Sequence, residues 1–181
     1  YLFGSIPFGF ILTKYFLNRD IRKIGSGNIG ATNALRTGNK LVAYSTLVLD
    51  ILKAIVPILY VKFNYQEFIY ISALCAFLGH VFPVWLKFKG GKGVATYVGI
   101  LMSINIILGI IFGFIWILTY FISKYSSLSS ILSSISVPLY VYFANIDNFL
   151  FYFIIFILIF YTHKENIKRL INKEENKTKI Y

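Results

Sequence analysis

The stretch FKGGKGVAT, residues 88–96, sets three glycines and two lysines directly before a long apolar run. Gly90, Gly91 and Gly93 permit close approach of backbone to a ligand. Lys89 and Lys92 add positive charge, and the N-terminus of the helix that should follow attracts anions. That combination suits a phosphate. It is not the nucleotide-binding loop, in which Gly-Lys is followed by Ser or Thr, because Gly93 follows Lys92. A second island, GSGNIGATNALR at residues 25–36, has the same flavour. Gly27 and Gly30 allow an anion-holding turn, Ser26, Asn28, Thr32 and Asn33 offer hydrogen bonds, and Arg36 supplies a planar fork for phosphate. A third, HKENIKRL at residues 163–170, places His163, Asn166 and Leu170 on one helical face with Arg169 beside Asn166. Each island has a plainer reading: a flexible connector, a positive anchor with a turn, and a basic helix lying on anionic lipid.

What must position these islands is a membrane bundle. Of the 181 residues 57% are hydrophobic and 14% charged, with mean hydropathy +0.71, which excludes an ordinary soluble domain. The apolar runs are continuous, which argues for spanning helices and against a β-barrel. The net charge of +11 reads as positive-inside topology plus an anionic substrate, not as nucleic-acid binding. The single cysteine, Cys75, excludes an internal disulfide and reads as packing. The first apolar run lacks the basic flank and cleavage site of a signal peptide.

Apolar runs cover about residues 1–17, 41–61, 68–86, 94–122, 128–144 and 148–161. Pro7 breaks the first, and Pro83 should kink the end of the third. Run four is too long for one ordinary span: about 29 residues rise about 43 Å against an apolar core of about 30 Å. Basic residues crowd the first loop (Arg19, Arg22, Lys23, Arg36, Lys40), the third (Lys87, Lys89, Lys92) and the tail (Lys164, Lys168, Arg169, Lys173, Lys177, Lys179). If all three are cytoplasmic, an even number of spans separates Lys92 from His163, and run four is two short helices turning near residues 103–105. The expected fold is therefore all-α: a single-domain polytopic membrane helix bundle over residues 1–181. It has about seven transmembrane helices, its N-terminus outside and its C-terminus cytoplasmic, and all three islands on one face. A five-span alternative would leave Asn145, Asp147 and Asn148 in mid-membrane.

Other polar residues qualify as candidates. Asp50 and Lys53 lie one turn apart inside run two, as a functional pair or as an ion pair locking the bundle. Ser127 to Ser130 are expected in a short loop with Lys124, as donors to a ligand or as a helix cap. His80 and His163 are the only histidines, and neither has an Asp five residues on: Trp85 and Lys168 stand there. That removes the His-x4-Asp pair of acyl-CoA-dependent acyltransferases. No nucleophile elbow is present. The acidic residues do not cluster near either histidine, so no metal is expected.

Taken together the islands resemble a known family, the bacterial integral-membrane glycerol-3-phosphate acyltransferases of PlsY type, which use acyl phosphate. The likeness runs over nearly the whole chain: GSIPFG at 4–9, SGNIGATNALR, LDILK at 49–53, GHVFPVWLKFKGGKGVAT at 79–96, and HKENIKRL with Glu175 downstream. The departures are Thr162, where the family often has Arg, Lys173 in place of a common Gly, and Ala54 where Gly frequently follows the lysine. The resemblance implies acyl transfer from a fatty acyl phosphate to the 1-hydroxyl of sn-glycerol 3-phosphate, giving lysophosphatidate and inorganic phosphate. It implies a multi-pass protein of the bacterial plasma membrane with its site at the cytoplasmic face, acting as a monomer with lipid around it and without a cofactor. His163, Asn166, Lys92 and Arg36 would serve catalysis. Ser26, Gly27, Asn28, Gly30, Thr32, Asn33, Lys89, Gly90, Gly91, Gly93, Ser127 and Arg169 would bind substrate. The rival is a transporter of a phosphorylated metabolite, which would place its site near mid-membrane and often show an internal repeat; no repeat is visible here.

Overall fold

Pro7 lacks an N–H and disfavours helical geometry in the residue before it, so the first apolar run breaks at Ile6. The computed structural model, which describes residues 1–178, divides that run into α1 (Leu2–Ser5) and α2 (Phe8–Leu17). Lys179, in the basic tail, lies outside the described residues. A short α3 (Ala31–Leu35) interrupts the first polar loop. Next comes α4 (Lys40–Asn64), started by Asn39, whose side chain accepts from the Val42 N–H at 3.0 Å. Helices α5 (Ile69–Val81) and α6 (Val94–Ile104) follow. Pro83 stands just beyond the end of α5, so it helps stop the helix where a kink was expected. Run four does divide: α6 stops at Ile104, and the Asn105 side chain accepts from the Ile107 N–H at 3.0 Å to start α7 (Ile106–Ser123). The rest is α8 (Ser126–Phe143), α9 (Phe149–Thr162) and α10 (Lys164–Ile171). Among the described residues there is no strand.

The chain forms two compact units, Tyr1–Ile104 and Asn105–Tyr181. In the first, α4 is the common neighbour of α1, α2, α3, α5 and α6. Backbones approach closely: a Cβ on Gly99 of α6 would collide with the Ile51 carbonyl of α4, the small-residue packing that lets membrane helices touch. A cluster of Ile21, Ile29, Ala34, Val42, Ala43 and Leu86 is buried. Leu86 thereby ties the glycine-lysine segment to the first polar loop. In the second unit α8 packs on α7 and α9.

Four helical segments are long and apolar enough to cross a membrane: Lys40–Asn64, Gln66–Leu86, Ile106–Ser123 and Ser126–Phe143. The pair Phe149–Thr162 and Lys164–Ile171 bends by 61°, and Leu2–Leu17 and Val94–Ile104 are shorter apolar segments. One expectation is corrected. Ser127 to Ser130 do not form a loop; they lie inside α8, and only Lys124 and Tyr125 separate α7 from α8. Inside the helix the serine hydroxyls are satisfied by bonding back to carbonyls one turn earlier: Ser129 to Tyr125 at 2.9 Å, Ser130 to Ser126 at 2.8 Å and Ser133 to Ser129 at 2.7 Å.

The end of α6 is held by a cation from α4. Lys62 Nζ donates to the Ser103 carbonyl at 2.7 Å and to Ile104 at 3.3 Å. It satisfies carbonyls a helix end leaves over and faces the negative end of its dipole. Lys62→Met should therefore lower stability by about 1–3 kcal/mol, read as a fall in thermal midpoint in lipid, with no change in ligand affinity.

Candidate functional site

The first polar loop is built around one side chain. Asn33 is buried. Its Nδ2 donates to the carbonyls of Ile21 (3.1 Å), Ile24 (2.9 Å) and Asn28 (2.8 Å), and its Oδ1 accepts from the Ser26 N–H (3.0 Å). Asn28 Oδ1 accepts from the Gly30 N–H at 2.9 Å, and the Gly27 N–H donates to the Ile24 carbonyl at 2.9 Å. These amides, expected to face an anion, are thus committed inside the loop, and Asn33 holds the loop's shape. What the loop offers outward is the exposed Ser26 and Arg36, with Thr32 half-buried. Gly25 has φ +53°, and a Cβ there would meet Arg36 Cδ and Asn33 Oδ1 at 2.5 Å, so glycine lets the arginine stem lie against the turn. Nearby Arg22 pairs with Asp20 at 2.7 Å; this hydrogen bond holds the Asp20 carboxyl at about 2. The pair is partly exposed at the rim of the loop.

The glycine-lysine segment is likewise tied back on itself. The Gly90 N–H donates to the Val81 carbonyl at 3.1 Å and the Gly91 N–H to the His80 carbonyl at 3.0 Å. These two donors therefore cap α5 and do not face a ligand. A Cβ on Gly91 would overlap the His80 ring. Lys89 is exposed and Lys92 half-buried, and the first turn of α6 begins just after them at Val94. Gly93 accepts from the Tyr97 N–H at 2.7 Å and so belongs to that first turn. The Gly90 and Gly91 amides, expected in an anion cradle, thus fasten the segment to α5 instead.

In the second unit the sequence-predicted residues Ser127, Asn166 and Arg169 do come together, around a group not counted among them. Glu175 accepts from Ser127 Oγ at 2.8 Å, Asn166 Nδ2 at 2.6 Å and Arg169 Nε at 2.7 Å. The Glu175 side chain is 7% exposed. Burial would raise its carboxyl, but the bonds from Arg169, Asn166 and Ser127 outweigh burial and hold it below the usual carboxylate range. The tail reaches this place because Tyr120 donates to the Thr178 carbonyl at 2.6 Å and the Thr178 N–H donates to Lys124 at 3.0 Å. A lone glutamate in a polar tail carries no periodicity; only its place downstream of the third island marked it.

His163 sits at the bend between α9 and α10 as the N-cap of α10, its carbonyl accepting from the Ile167 N–H at 2.9 Å, one turn before Asn166. It is 2% exposed, and Nδ1 lies 2.8 Å from the Ile159 carbonyl. A carbonyl only accepts, so Nδ1 carries the proton and, in the neutral ring, Nε2 is an acceptor.

Apolar spans with loops bearing cations and hydroxyls define a helical integral membrane protein whose polar residues are of types that suit phosphorylated ligands. The family model "Glycerol-3-phosphate acyltransferase" matches residues 1–173. A glycerol-3-phosphate acyltransferase of Pelagibacter ubique (strain HTCC1062) is 69% identical over 181 residues, covering 100% of this chain and 95% of the relative. One from Mesorhizobium japonicum is 47% identical over 178 residues, covering 98% of this chain and 91% of the relative. Among solved structures, PlsY, an integral membrane glycerol 3-phosphate acyltransferase, in its glycerol 3-phosphate form superposes with a TM-score of 0.92 at 34% identity, over 99% of this chain and 92% of that one. Its lysophosphatidic acid form gives 0.88 at 33% identity, over 99% and 91%. The chain belongs to the glycerol-3-phosphate acyltransferase family of PlsY type.

Because Glu175 is depressed in the folded protein, its contribution is present above the unfolded carboxylate range of about 4.3 and is lost as pH falls through the lowered value. Glu175→Ala leaves Asn166 and Arg169 without their acceptor and should cost about 2–4 kcal/mol. The stability gap between Glu175→Gln and the parent chain should stay constant from pH 8 to 5 and close only in stronger acid, as thermal midpoints at each pH would record.

Proposed function

We propose that this chain transfers a fatty acyl group from acyl phosphate to the 1-hydroxyl of sn-glycerol 3-phosphate. The hydroxyl oxygen attacks the acyl carbonyl carbon, the anhydride C–O bond breaks, and lysophosphatidate and inorganic phosphate result. The hydroxyl proton ends on a phosphate oxygen. The observation that carries the reading is the end-to-end likeness to an acyltransferase solved in forms named for glycerol 3-phosphate and lysophosphatidic acid.

The chemistry explains the cations. Two phosphate dianions about 5 Å apart repel by about 3 kcal/mol even at the dielectric of water. Arg36, Lys89, Lys92 and Arg169 offset that repulsion, with Ser26, Thr32 and Ser127 as hydroxyl partners. Asn28, Asn33, Gly27, Gly30, Gly90, Gly91 and Gly93 shape the loops. Phosphate is a good leaving group, so no covalent enzyme intermediate and no metal are required. Catalysis is positioning and charge stabilisation. His163, steadied by Ile159 and beside Asn166, orients the glycerol hydroxyl. The seven-span topology, N-terminus outside, puts all three islands at the cytoplasmic boundary, where a bilayer-borne acyl donor meets a soluble acceptor. The enzyme acts as a monomer, as one acyltransferase domain.

Purified protein given glycerol 3-phosphate with palmitoyl phosphate, palmitoyl-CoA or palmitoyl-carrier protein should form lysophosphatidate and phosphate in equal amounts from the acyl phosphate alone. Product from another donor overturns the donor assignment; glycerol 3-phosphate binding with no product from any donor points to a transporter. His163→Ala should raise KM for glycerol 3-phosphate about tenfold or more with kcat little changed. A loss confined to kcat would make His163 the proton acceptor.

A further inference from the structure

Beneath the glycine-lysine loop lies a cluster that acyl transfer does not itself require. Asp50 and Lys53, one turn apart on α4, have side chains 3% and 1% exposed, with Oδ1 and Nζ 2.8 Å apart. Lys53 Nζ also donates to the Ile6 carbonyl at 2.8 Å, at the break between α1 and α2, and lies 5.9 Å from the centre of the Phe8 ring. His80, in the last turn of α5, brings Nδ1 to 3.8 Å from the same Asp50 oxygen. The other side of that histidine meets the loop. Its carbonyl accepts from the Gly91 N–H at 3.0 Å, and there is no room for a Cβ between Gly91 and Nε2. The Gly90 side is equally filled, by the His80 and Val81 carbonyls and Pro83.

A buried ion pair gains little over a well-packed apolar pair of the same volume, so stabilisation alone is a poor account of this one. Its geometry has a direction. Lys53 joins α4 to the helix break, Asp50 faces His80, and His80 supports the turn from which Lys89 and Lys92 project. Movement of the imidazole would move Gly91 with it, because the contact has no slack.

We propose that Asp50, Lys53 and His80 are positioning residues that set the turn at Gly90 and Gly91, and with it the two lysines, against the phosphate those lysines hold. The inference rests on reading this loop as a phosphate-holding element. The test compares the full chain in lipid with His80→Ala, Lys53→Met, Gly91→Ala and the Gly91→Ala/His80→Ala double variant. Binding of glycerol 3-phosphate and of inorganic phosphate is read by calorimetry, and kcat and KM are measured for both substrates. His80→Ala and Lys53→Met should weaken the same one of the two phosphates about tenfold or more, with kcat within about threefold. Gly91→Ala should weaken it too. The double variant should be no worse than the worse single, because removing the ring makes room for the new Cβ. If Lys53→Met does not fold, Asp50→Asn/Lys53→Met, which removes both charges, takes its place. Penalties that multiply in the double variant, unchanged affinity in His80→Ala, or a loss confined to kcat or thermal midpoint would overturn the proposal. Calorimetry needs no turnover. A parent chain that binds phosphate but forms no product would sink the acyl-transfer reading while the affinities still decide the positioning claim; one that binds neither phosphate overturns both.

Discussion

A carbonyl at a broken helix end in an apolar setting must find a donor, since no bulk water is there to supply one. Much of this molecule follows from that requirement. The break at Ile6 is answered by Lys53, the end of α6 by Lys62, and the carbonyls of the first polar loop by Asn33. Lys53 and Lys62 reach from α4 to other elements, so those repairs also fix one element against another, while Asn33 closes its own loop. The breaks are what let a bundle of apolar helices carry loops that are polar and still rigid.

The same requirement changes how the two glycine-rich loops work. Read as sequence, they suggest rows of free amides wrapped round a phosphate. Folded, Ser26, Gly27, Gly30, Gly90 and Gly91 have amides bonded within the protein. Their glycines serve close packing, and under the proposed reaction the charge stabilisation falls to side chains on a stiff frame, Arg36, Lys89 and Lys92, as preorganised cations. In the second unit Glu175 plays the corresponding part, gathering Ser127, Asn166 and Arg169 around one carboxylate.

Much of this was legible in the sequence. Apolar run length and the positions of Lys and Arg marked the helices, and the excess length of run four located its break to within a residue of Asn105. Pro7 announced the first break. The three islands were plain because glycine, asparagine and cations stand out against an apolar background. What was not legible depends on partners distant in the chain. Nothing local says that Asn33 is a clamp and not a ligand, that the Gly91 amide faces His80, or that Glu175 returns to Ser127. The serines at 127–130 misled because serine usually interrupts helices; here the Ser129 and Ser130 hydroxyls bond carbonyls one turn back and the Ser127 hydroxyl bonds Glu175, so none needs a loop to find a partner.

The topology proposed above puts all three polar islands on one side of the membrane. It is tested most directly by labelling from a single side. With Cys75 replaced by Ser, single cysteines at the exposed positions Lys23, Lys87 and Lys164 would be exposed to a membrane-impermeant maleimide in sealed vesicles of known orientation. All three should react from the cytoplasmic side and none from the other. A position that reacts only from the opposite side would separate its island from the rest and contradict the account.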